Sequence, residues 1–144
     1  MTQIPWCAGK LLVWVVTVVS TLAESYVAAA ARWRGEVAEL AAAKKCDKYA
    51  EIYTTHTFLP IAVETLGPMN ESAYQFFDDF GRRIGDISGD SRETSFIYQR
   101  LSVTIQRFNA RDIRFARRFG PLAIPDSFLD FLVLNPWDLY YQGY

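Results

Sequence analysis

The chain has 144 residues, with 15 Lys and Arg against 16 Asp and Glu and a formal charge of -1. It is 51% hydrophobic and 15% aromatic, which excludes a disordered chain and allows one domain with a real core. The near-neutral balance gives no global attraction to nucleic acid or to an anionic membrane. Cys7 and Cys46 form no Cys-x-x-Cys pair, and His56 is the one histidine, so no zinc site is expected. Two unpaired thiols suit a reducing, intracellular setting.

Residues 11–20, Leu11-Leu12-Val13-Trp14-Val15-Val16-Thr17-Val18-Val19-Ser20, are a continuous apolar run after Gly9. Such continuity predicts a strand covered on both faces, as in α/β sheets. Lys10 followed by this run mimics a secretory leader, but its Val and Thr content suits a strand better than a leader helix. Glu24 interrupts the run before it reaches the ~20 apolar residues of a membrane span. A long helix is predicted over about 24–54, with Ala28 to Ala31 and Ala41 to Ala43 as helix formers. Its apolar stripe is Tyr26, Ala30, Trp33, Val37, Leu40 and Ala41, with Glu36, Glu39, Lys44, Lys45, Asp47 and Lys48 mostly off it. A second strand is predicted over about 57–65. Pro60 has no N–H and is expected near its start or at a bulge. Strand, helix and strand make a βαβ unit with a right-handed crossover, and Trp6, Trp14 and Trp33 are read as its core residues.

Leu66-Gly67-Pro68 breaks the pattern. A third segment is predicted over about 71–85, capped by Asn70, with Ala73, Phe76, Phe77, Phe80 and Ile84 on one face. Asn70-Glu71-Ser72 fits a glycosylation sequon, but the cap reading is preferred at a helix start. Gly85 to Gly89 reads as a turn. Asp90 then caps a fourth segment, with Glu93 at the capping-box position. That segment continues to about 109, with Ile97, Leu101, Ile105 and Phe108 inward and Arg100, Arg107 and Arg111 on another face. Arg114, Arg117 and Arg118 extend the basic stretch, which follows an acidic one containing Asp78, Asp79, Asp86, Asp90 and Glu93. The expected fold is a small α/β domain over 1–119, followed by an aromatic, Pro-containing tail over 120–144 with a short helix near 126–133.

Several stretches together carry a resemblance. The opening is Ile4-Pro5-Trp6, Gly9-Lys10, Trp14, Thr17-Val18-Val19 and Thr21-Leu22-Ala23-Glu24-Ser25-Tyr26. Lys45, Lys48-Tyr49-Ala50 and Phe58-Leu59-Pro60-Ile61-Ala62-Val63-Glu64-Thr65-Leu66-Gly67-Pro68 follow. Gly81-Arg82-Arg83-Ile84-Gly85, Ser88-Gly89-Asp90, Arg92-Glu93-Thr94-Ser95-Phe96, Gln99-Arg100-Leu101-Ser102-Val103 and Ile105-Gln106-Arg107-Phe108-Asn109-Ala110 complete the set. Over about residues 3–110 this resembles the C-terminal end of reverse-transcriptase reading frames in animal non-LTR retrotransposons. In related elements that region is similar to a restriction-like endonuclease of the PD-(D/E)XK class. The resemblance implies a Mg²⁺-holding acid in a strand reading Trp-Asp-Val-Thr, where this chain has Val15. It implies a further acid in a Pro-Asp pair that would lie upstream of this chain, and no such pair opens the chain itself, where Pro5 is followed by Trp6. It also implies a Lys-x-x-Lys-Tyr helix motif, of which Lys48 and Tyr49 remain, with Glu64 as the nearby strand acid.

Hard Mg²⁺ wants oxygen ligands, and Val15 offers none. No metal, no cofactor and no nuclease activity are therefore expected. Lys48 and Tyr49 are read as a solvated lysine and a tyrosine at the core edge. Glu64 is read as facing solvent or capping the next turn. The expected role is a non-catalytic structural or interaction subunit derived from such a fragment. It would meet another protein through the tail, with Phe131, Trp137, Tyr140 and Tyr141 as contact residues. The alternative is a nucleic-acid-binding module on the arginine-rich helix 100–118, using Arg100, Arg107, Arg111 and Arg114. A residual metal-dependent nuclease ranks behind both.

Overall fold

A computed structural model describes residues 6–119 and places two parallel strands between helical layers. Strand β1 (Leu12–Val19) pairs with β2 (Thr57–Glu64) in unbroken register, from Leu12 opposite Thr57 to Val19 opposite Glu64. Helix α1 (Val27–Ala30) and helix α2 (Glu36–Lys48) lie between the strands in sequence, followed by a 3-10 turn over Ala50–Thr54. Helices α3 (Glu71–Ser88) and α4 (Glu93–Phe119) complete the described chain. The α/β core expected from the sequence is present. The tail, with Phe131, Trp137, Tyr140, Tyr141 and the short helix expected near 126–133, lies outside the described residues.

The continuous apolar runs are explained by burial on both sides. Val19 and Ala62 pack against Val37, Ala38, Ala41 and Ala42 of α2. Leu12, Val16, Ile61 and Val63 point the other way, against Ala73, Phe76 and Phe77 of α3 and Ile97, Leu101 and Ile105 of α4. With both faces apolar, the period-two pattern of a half-exposed strand disappears.

The single helix expected over 24–54 is broken. Gly35 sits at φ 93, in the left-handed region, and starts α2 afresh. A straight helix of that length would extend about 45 Å, well past strands of about 26 Å. The 13 residues of α2 match the strands better, at about 20 Å. The apolar stripe holds at Val37 and Ala41, with Tyr26 and Ala30 packed against their cluster, and is corrected at two positions. Leu40 is 39% and Trp33 55% exposed, while Val37, Ala38, Ala41 and Ala42 form the buried apolar side of α2. Alanine at the contact lets helix and sheet approach closely, and the larger side chains are displaced outward. Trp6 belongs to the opposite layer: its ring meets Phe76 and Phe80 on α3 and carries the Arg83 guanidinium 4.1 Å from its centroid.

Pro60 sits inside β2 without a bulge. Thr57 and Thr65 donate their N–H groups toward β1, so by alternation residues 58, 60, 62 and 64 turn theirs to the outer edge. Pro60 therefore lacks an N–H only where β1 needs none. Helix α3 runs through Gly85 and stops at Ser88, where Gly89 takes φ 76. Among the described residues no helix is long and apolar enough to cross a membrane.

Candidate functional site

The four positions implied by the resemblance lie on the α2 side of the sheet or at its ends. Val15 shares the side of β1 that Val19 turns toward α2, and it stands opposite Pro60. Thr17, on the same side, is buried, and its Oγ1 has no hydrogen-bond partner among the described residues.

Glu64 corrects the sequence reading. It is 5% exposed and neither faces solvent nor caps the turn after it. Its Oε1 accepts the Ala38 N–H at 3.3 Å, in the first turn of α2. Gly35 has no side chain with which to cap that helix, so the strand supplies the carboxylate, and the positive end of the helix dipole favours it there. The pattern repeats at α3, where Glu39 Oε1 accepts the Glu71 N–H.

Glu39 acts there because Asn70, the expected cap of α3, is engaged elsewhere. Its Oδ1 accepts the Ala62 N–H at 2.8 Å, and its Nδ2 donates to the Pro60 carbonyl at 3.1 Å and to Ser72 Oγ at 2.7 Å. Its own N–H donates to the Ala62 carbonyl at 3.1 Å, and Glu64 N–H donates to the Pro68 carbonyl at 2.7 Å. The outer edge of β2 is thus closed by the loop that follows it. Asn70 is 1% exposed with its amide fully bonded, so the folded chain does not present it as a glycosylation acceptor.

Lys48 is exposed, and its Nζ lies 5.3 Å from the centroid of the Tyr49 ring. Tyr49 packs at the core edge, 5.4 Å from Phe58 between centroids. Lys48 stands at the end of α2 opposite to the Ala38 N–H that holds Glu64, about 15 Å along the axis. Lys48-Tyr49 and Glu64 are not brought together. Among the described residues no three His, Cys, Asp or Glu side chains gather as metal ligands. The Mg²⁺ implied by the resemblance does not fit the residues present: Val15 has no oxygen, and Glu64 is engaged with a helix terminus.

The arginines form a different surface. Helix α4 continues past 109, which puts Arg100, Arg107, Arg111 and Arg114 on one helix, all exposed. At 100° per residue they fall within about 60° of arc, along about 21 Å of axis. None of the four pairs with a carboxylate among the described residues. The ion pairs present sit elsewhere, as in Arg92 to Asp90, where the guanidinium hydrogen bonds hold the Asp90 carboxyl down to about 2.

Comparison with family models, curated proteins and solved structures gives no match to this chain. The geometry above therefore carries the functional reading. The sequence pattern missed the borrowed caps at Glu64 and Glu39. The only local signal was Gly35 before α2, a helix start with no side chain able to cap it.

Proposed function

We propose that the chain is a non-catalytic structural or interaction subunit, derived from the end of a retrotransposon reverse-transcriptase reading frame. The observation that carries this reading is the engagement of Glu64. The acid that would help hold a metal is buried and caps α2, at the far end from Lys48 and Tyr49. With Val15 in the middle of β1, the α2 side of the sheet supports packing rather than hydrolysis. The test is plasmid nicking by the full chain with Mg²⁺ or Mn²⁺. No nicking above that of a Glu64→Gln variant is expected. Metal-dependent nicking that this variant loses would overturn the reading.

The arginine line favours a second reading, contact with a phosphate backbone. Its support is the exposure of Arg100, Arg107, Arg111 and Arg114 in one line without described carboxylate partners. Filter binding to a DNA duplex at several salt concentrations tests it. Binding at about 50 mM salt that weakens steeply as salt rises is the expected result, and a flat salt response counts against it.

A further inference from the structure

We propose that the outer face of α4 is a docking seam for an amphipathic helix with acidic flanks. The proposal rests on the reading of the chain as an interaction subunit and names the class of partner. Along α4 an apolar residue followed four places later by an arginine recurs every seven residues: Phe96 and Arg100, Val103 and Arg107, Ala110 and Arg114. At 100° per residue these six positions cover about 80° of arc, centred about 140° from the inward stripe of Ile97, Leu101 and Ile105. Phe96 is 37% and Val103 51% exposed, and Ala110 and the three arginines are exposed as well.

A seven-residue apolar period is what a second helix crossing at a shallow angle can match. Arginine on the same side of each apolar position then asks for carboxylates along the partner's flank. A second copy of this chain meets that demand poorly. Antiparallel α4 helices would set arginine against arginine. Parallel ones would set the arginines against Ser95, Ser102 and Asn109, which carry no charge. A phosphate backbone would satisfy the arginines but leave uncovered Val103 and the part of Phe96 beyond the Arg92 guanidinium, which lies 5.3 Å from its ring centroid. An acidic amphipathic helix covers both sets of side chains.

The experiment titrates the full chain with three labelled probes by fluorescence anisotropy. The first is a helical peptide of three heptads with leucine on its seam and glutamate on both flanks. The second carries lysine on the flanks, and the third is a DNA duplex. The glutamate peptide is expected to bind at least about tenfold tighter than the lysine peptide. Val103→Ser and Arg107→Glu are each expected to weaken it about tenfold, with circular dichroism confirming that both variants stay folded. Equal affinity for the two peptides, or no loss with Val103→Ser, overturns the seam. DNA binding that Arg107→Glu removes and Val103→Ser leaves intact overturns it in favour of the phosphate-backbone reading. Failure of the seam is distinct from failure of the subunit reading, which only metal-dependent nicking would remove.

Discussion

Asn70 and Thr17 show opposite fates for a buried polar side chain beside the same sheet. Asn70 makes three side-chain hydrogen bonds at the edge of β2, two of them to strand backbone. Replacing it with alanine leaves the Ala62 N–H buried without an acceptor. We expect Asn70→Ala to cost about 2–4 kcal/mol in urea unfolding. A loss well below that would mean that water serves the edge equally well. Thr17 buries a hydroxyl with no described partner against an alanine-lined helix. Valine has nearly the same shape and no group to desolvate. Thr17→Val is therefore expected to leave stability unchanged or raise it by up to about 1 kcal/mol, with destabilisation pointing to an unseen partner.

At the scale of elements, the close approach of α3 to α4 is set by Gly81. A Cβ there would lie 2.7 Å from the α-carbon of Thr94 and 2.9 Å from its β-carbon, so the backbone of one helix would have to move. Gly81→Ala is expected to cost about 1–3 kcal/mol by urea unfolding. Adding Thr94→Ala should recover only part of that, because the main chain at position 94 still blocks the added methyl. The same pair of helices is tied by the Tyr98 hydroxyl, which donates to Asp78 Oδ1 at 2.8 Å. Burial first, and then this bond to a carboxylate, raise the Tyr98 phenol above its ordinary 10.0. The folded state holds that proton more tightly than the unfolded chain does. The stabilisation is complete below the unfolded value and is lost as pH rises through and beyond it. Melting temperatures taken from about pH 8 to about pH 11 should fall less steeply in Tyr98→Phe than in the parent. Equal slopes would remove Tyr98 from the alkaline response.

For the whole molecule, the sheet divides the described core into two clusters, one under α2 and one under α3 and α4. Val37 and Phe77 sit on opposite sides of it. Phe77→Ala is expected to cost about 3–5 kcal/mol, and its effect should add to that of Val37→Ala within about 0.5 kcal/mol in one cooperative transition. Two transitions, or a large coupling, would show that the layers do not fold as one unit with independent faces.

How much of this was legible in the sequence follows from the range of each interaction. β1 and β2 were readable because burial on both faces leaves an unbroken apolar string. The inward stripe of α4, Ile97, Leu101 and Ile105, was readable from helical spacing, and all three are buried. The break before α2 was not, since the alanines on either side of Gly35 favour helix and a lone glycine in a helical pattern does not by itself end one. Nor was the direction of Glu64, whose partner lies 26 residues away. The sequence by itself determined that this is a small α/β chain with a βαβ core, a valine inside β1 and arginines along a late helix. Those features depend on local periodicity and on residue identity alone. Only the tertiary structure decided that Glu64 and Glu39 cap the helices of their neighbours, that Asn70 seals β2, and that Phe96 and Val103, set among the arginines, are left exposed. Each of these depends on a helix terminus, a strand edge or a helix face being brought to its place by packing, which local pattern does not encode.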